Sequence, residues 1–125
     1  MNHHPSAAQR LAFEAFQALQ RTHYTAYAVA HLDPEDADRA VHDAFAAIFT
    51  AWRDIITDHA PAQRAWEHLR TQVHRRARPD SPAPPSDLQD IRTLAALGYN
   101  AQASAVLMGL SPGRVRFFQR GADTD

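Results

Sequence analysis

A chain of 125 residues holds one ordinary domain or two very small ones, so any core it builds is modest. It has no cysteine, which excludes a disulfide framework and a thiolate metal site, and nothing in it resembles a signal peptide or a membrane span, so a cytoplasmic location is expected. The net charge of −1 conceals an asymmetry: residues 1–60 carry four Arg against eight acids, and residues 61–125 carry nine Arg against six. The first half therefore suits a basic protein surface, and the second has charge to spare for phosphates.

The elements read as helices throughout. Residues 7–32 contain no Gly or Pro and place Ala12, Phe16, Leu19, His23, Tyr27 and Ala30 at three- and four-residue spacing, which predicts a long amphipathic helix. Asp33-Pro34-Glu35-Asp36 announces the next helix, with Asp33 as N-cap, Pro34 at the first position and two acids where the dipole favours them. It is expected to run to about Trp52 on a buried stripe of Ala37, Val41, Ala44, Phe45, Ile48 and Trp52. A third helix, from about Ala62 to Arg78, buries Ala65, Trp66, Leu69 and Val73 and ends in Arg75, Arg76 and Arg78. Trp52 and Trp66 read as core anchors.

Residues 79–86 are rich in proline and form a linker, because proline cannot continue a helix. Beyond it, Ser86 with Gln89 reads as a capping box, Leu88, Ile91, Leu94, Ala95 and Leu97 as an apolar face, and Gly98 as a stop. Residues 100–120 then give two short helices around a tight turn. Ala105 suits a close crossing, Gly109 a left-handed helix end, Ser111 a cap and Pro112 a first helical position, while Met108, Leu110, Val115 and Phe118 pack the pair together. Arg114, Arg116 and Arg120 are left for the solvent face, where they suit phosphates and guanine edges. This is the layout of a DNA-reading helix-turn-helix. An ordinary capped helical hairpin has the same spacing.

The order of segments resembles the extracytoplasmic-function group of bacterial sigma factors. The run Phe13-Glu14-Ala15-Phe16, His23-Tyr24, Tyr27-Ala28, Asp33 to Phe45 and then Trp52 is similar to sigma region two, and Leu94 to Arg120 to the promoter-reading region four. Ser104 stands where that family has an apolar residue, and Val106 where it has an acid. The resemblance implies an all-α chain in two lobes: a three-helix region-two-like domain over 1–78, the linker over 79–86, and a three-helix helix-turn-helix lobe over 87–125. It implies RNA polymerase core as a partner, with Asp33, Glu35, Asp36, Asp38, Asp43 and Phe45 meeting the beta-prime clamp helices, and Ala65, Trp66, Leu69 and Val73 on the helix facing the promoter minus-ten element. It implies promoter DNA as a second partner, held by Arg75, Arg76, Ser111, Arg114, Arg116, Phe117 and Arg120. The alternative is a regulator that keeps the shape without initiating and binds polymerase, an anti-sigma factor or itself.

Linker length bears on that choice. The steps from Arg78 to Ser86 reach at most roughly 26 Å, whereas promoter elements about seventeen base pairs apart are separated by roughly 58 Å at about 3.4 Å per pair. Catalytic and cofactor signals are weak. His23 and His31 lie eight apart and His68 and His74 six apart, neither of them the three- or four-residue spacing that puts two ligands on adjacent turns. No Ser-His-Asp order, Gly-rich phosphate loop or His-Glu-x-x-His string is present. Neither an enzyme nor a cofactor is expected.

Overall fold

A computed structural model describes residues 6–80 and 86–123. Among these the chain is all-helical: α1 (Ala7–Val29), α2 (Pro34–Thr50), α3 (Trp52–Ile56), α4 (Pro61–Ala77), α5 (Asp87–Ala96), α6 (Ala101–Met108) and α7 (Pro112–Asp123). No described helix is long and apolar enough to cross a membrane. Of the proline-rich segment expected over 79–86, residues 81–85 lie outside the described residues.

Local chemistry sets the helix ends. Ser6 and Gln9 form a reciprocal capping box at the start of α1, and the Asp33 side chain accepts from the Asp36 amide at 2.8 Å at the start of α2. Ser86 accepts from Gln89 at 3.2 Å, Asn100 from Ala103 at 2.8 Å and Ser111 from Arg114 at 3.2 Å. Gly98 and Gly109 adopt positive φ, +98° and +72°, and end α5 and α6 by a geometry that side chains with a Cβ resist.

Packing departs from the expected pattern in two places. The buried face of α1 is Phe13, Tyr24, Tyr27 and Ala28 with Phe16 beside it, whereas Ala12, Leu19 and Ala30 are exposed. Rings decide this rotation: Phe13 meets Phe45 and Trp52 edge-on, with ring centroids 6.4 and 5.4 Å apart, and Tyr24 stacks on Phe45 at 5.2 Å. Each aromatic removes far more apolar area from water than an alanine does. The second departure is at Ala51, whose dihedrals of −96° and 10° end α2 at Thr50 and open the short α3, giving four helices before the linker where three were expected. The break lets Trp52 reach both Phe13 and Phe16. In α5, Ile91 and Leu94 are buried as expected, but Ala95 and Leu97 are exposed.

Small residues bring α2 onto its neighbours. Ala37, Ala40 and Ala44 on α2 and Ala65 on α4 are wholly buried, so these backbones approach closely, with Val41, Ile48, Leu69 and Val73 filling the space between. Ile91, Leu94, Ala105, Leu107, Met108 and Val115 join the same buried cluster, so α5 to α7 share one core with α1 to α4.

At the centre of that junction is a buried carboxylate. Asp90 is 1% exposed, and its oxygens accept from the Tyr27 hydroxyl at 2.5 Å, the Trp66 indole N–H at 2.9 Å and the Arg70 Nε–H at 2.6 Å. Arg70 also donates to Asp87 at 2.6 Å, so one guanidinium on α4 bridges two acids on α5. Burial opposes the arginine's charge, but the two carboxylates outweigh it and hold its pKa above the ordinary value. Removing the carboxylate leaves the largely buried Arg70 with Asp87 as its remaining acid and strands the Tyr27 and Trp66 donors. Asp90→Ala is therefore expected to lower unfolding free energy by about 3 kcal/mol, measured by urea denaturation. A loss below about 0.5 kcal/mol, typical of a surface substitution, would show that the junction does not depend on this contact.

Candidate functional site

The two short helices expected over residues 100–120 are α6 and α7, joined by a tight turn at Gly109. Val115 is wholly buried and anchors α7, Phe118 packs against the core, and the opposite side of α7 carries Arg114, Arg116, Phe117 and Arg120, all exposed, beside the exposed cap Ser111. The arginines are not equivalent. Arg114 lies 3.6 Å from Asp87 and over the Phe118 ring at 5.6 Å, so its charge is partly answered within the protein. Phe117 is 66% exposed and meets Phe118 edge-on at 5.9 Å, an aromatic left in water on an otherwise basic surface. That surface can offer guanidinium donors to phosphates or base edges and one ring to an apolar partner.

The turn between α6 and α7 rests on the start of α4. A Cβ added at Gly109 would come within 2.3 Å of the Gln63 backbone nitrogen, so glycine is required here by close approach as well as by φ. Ser104 is wholly buried with no partner for its hydroxyl among the described residues, while Val106 is 65% exposed.

Of the two arginines expected to join α7 on DNA, Arg75 is exposed at the end of α4, but Arg76 is ion-paired to Asp43 of α2 and bonded to Gln72. Each charge occupies the other. The acids expected to face polymerase separate in the same way. Asp33, Glu35, Asp36 and Asp38 cluster at the open start of α2, where Arg39 lies 3.7 Å from Glu35 and 3.8 Å from Asp36. Asp43 turns toward α4. Phe45, grouped by the resemblance with these acids, is instead a core side chain, 2% exposed between the rings of α1, and has no surface to offer a partner.

The face of α4 likened to a promoter-facing surface is likewise interior. Ala65, Trp66, Leu69 and Val73 are each at most 1% exposed, with Trp66 bonded to Asp90. The outward side of α4 is Glu67, Thr71 and Arg75.

Two features escaped the sequence reading. The first is the Asp90 network, signalled by an acid four residues before Leu94 on an apolar stripe and an arginine four residues after Trp66 on another. The second is a hydrogen bond of 2.7 Å between His23 Nδ1 and the Tyr99 hydroxyl, which ties α1 to the turn before α6 and which no local pattern announces. Among the described residues, no group of three or more His, Cys, Asp or Glu is placed to hold a metal ion. Comparison with protein-family models, with curated proteins and with solved structures finds no match.

Histidines beside the Asp90 network make stability depend on pH. The single Tyr27 hydroxyl hydrogen goes to Asp90, so His74 Nε2, 3.2 Å away, donates to the Tyr27 oxygen, and His31 lies against both rings at 4.9 and 5.3 Å. Burial pushes the pKa of His31 and His74 below the ordinary 6.5; Asp90 pulls both back up, and Arg78 adds to the lowering at each. Burial and Arg64 lower His68 in the same sense. Since the unfolded chain takes up these protons near pH 6.5 and the folded chain refuses them, the stability they contribute is complete above that pH and is lost as pH falls below it. The urea midpoint is expected to drop between pH 7 and pH 5, and His31→Gln and His74→Gln should each flatten the drop by at most about 1.4 kcal/mol per pH unit. A midpoint that rises toward pH 5 would contradict this.

Proposed function

We propose that this chain is a sigma-like transcription protein that contacts DNA through α7 and RNA polymerase core through the acidic start of α2, without a cofactor and without catalysing a reaction. The observation that carries the reading is α7 itself: a capped helix, entered through a left-handed Gly109 turn, anchored by Val115 and presenting Arg114, Arg116, Phe117 and Arg120 to solvent. The cluster of Asp33, Glu35, Asp36 and Asp38 supports the polymerase contact, because four acids around one helix start make a compact negative patch, with Arg39 lying against it.

A specific observation favours the non-initiating form of this reading. The apolar face of α4, likened to the promoter-facing surface, is interior: it packs on α2 and on the Tyr24 and Tyr27 rings of α1, with Asp90 bonded to Trp66 and the Gly109 turn seated on the start of α4. A protein closed in this way binds polymerase, an anti-sigma factor or its own kind while offering DNA only α7.

The DNA contact is tested by fluorescence anisotropy on duplex DNA over a range of salt. Affinity is expected to fall with rising salt, and Arg116→Ala to lower the magnitude of the log–log slope by about one. Undiminished binding by a variant with alanine at 114, 116 and 120 would place the contact elsewhere. For polymerase, Asp36→Arg combined with Asp38→Arg should weaken binding to a beta-prime clamp-helix fragment at low salt while leaving far-UV circular dichroism unchanged, since exposed charges steer association and contribute little to stability. If the unmodified chain does not bind that fragment, the polymerase contact is refuted.

A further inference from the structure

Between α1 and α6 runs a groove of about 410 Å³, within the roughly 300–1,000 Å³ that small-molecule sites occupy. One wall is α1, with Leu19 and His23; the other is α6 and the turn before it, with Val106, Leu107 and Tyr99. Leu19 and Val106 are 67% and 65% exposed. A lone exposed leucine is ordinary, but two large exposed apolar side chains from helices distant in sequence, lining one concavity with Leu107, are a shaped apolar surface left in water. The polar groups of the groove are the hydrogen-bonded His23–Tyr99 pair and side-chain amides such as Gln20 and Gln102. None of its described lining residues is Asp, Glu, Lys or Arg.

We propose that this groove binds a small, uncharged, largely apolar molecule carrying one hydrogen-bonding group, which meets the His23–Tyr99 pair while the apolar body lies between Leu19 and Val106. Volume sets the size class, and the absence of charged lining residues sets the charge: an ion entering would lose hydration with no counter-ion to replace it. The Tyr99 hydroxyl and the imidazole between them both donate and accept, so either kind of polar group on the ligand finds a partner. Because the walls come from α1 and α6, an occupied groove adds contact between the first helix and the helix preceding α7. The site does not depend on α7 binding DNA.

The test uses two fluorescent probes on the intact chain: N-phenyl-1-naphthylamine, uncharged with one N–H, and 1-anilinonaphthalene-8-sulfonate, the same skeleton bearing a sulfonate. The neutral probe is expected to bind saturably at one per chain with a blue shift, and the sulfonate at least roughly tenfold more weakly. Leu19→Glu and Val106→Glu, at exposed positions that leave the fold alone, should each weaken the neutral probe at least roughly tenfold with unchanged circular dichroism, and Tyr99→Phe by roughly three- to tenfold. Absence of saturable binding by the neutral probe overturns the proposal. So does equal affinity for the sulfonate, or binding that both glutamate substitutions leave intact.

Discussion

A single buried carboxylate ties the two ends of this chain together. Asp90 reaches through three donors to α1, by way of Tyr27, and to α4, by way of Trp66 and Arg70. Taking Asp90 and Arg70 out of water is costly, and a pair of this kind adds little net stability compared with well-packed apolar side chains. Its effect is on geometry. Both carboxylate oxygens must find donors, and only one placement of α5 over α4 and α1 supplies all three. Arg70 reinforces that placement by holding Asp87 one turn earlier. The apolar packing of Ile91, Leu94 and Met108 would tolerate some sliding; a directional network does not.

Once α5 is fixed, the remaining surfaces follow. The turn of α6 and α7 is pressed against the start of α4 at Gly109, where not even a methyl group fits, and Val115 enters the shared core. The apolar side of α4 is already taken up by α2 and the rings of α1, and α7 is left to present its arginines outward. Asp87 belongs to both regimes, holding Arg70 inside and lying beside Arg114 at the surface. The positive character of α7 therefore rests chiefly on Arg116 and Arg120. At the other end, the pairing of Asp43 with Arg76 cancels one charge from each of two surfaces that the sequence alone would assign to different partners.

The same closure creates the groove. His23 and Tyr99 are brought together across 75 intervening residues, and the bonded pair lines a concavity that also takes in Leu19, Val106 and Leu107. On the sequence Leu19 belongs to the apolar stripe of a helix and reads as core. It is exposed because the phase of α1 is set by its rings: Phe13, Tyr24 and Tyr27 bury more area than Ala12, Leu19 and Ala30, and a helix has only one way to face its neighbours.

What the sequence determined by itself was local. Asp33-Pro34, Ser86, Asn100, Gly109 and Ser111-Pro112 fix helix starts and stops through hydrogen bonds that span three or four residues, and the α2 stripe from Ala37 to Ile48 is regular enough to give its buried face directly. The arginines of α7 were readable for the same reason, since a 3.6-residue period separates them from Val115. Tertiary structure alone decided everything that needed two distant segments: that Asp90 is a buried partner and not a surface acid, that the Trp66 indole N–H donates to it, that Leu19 is left in water, and that Asp43 and Arg76 occupy one another. Periodicity states which residues share a face, but the burial of a charge or the pairing of two ions depends on what another helix brings to that face, and that is set by the summed packing of the whole chain.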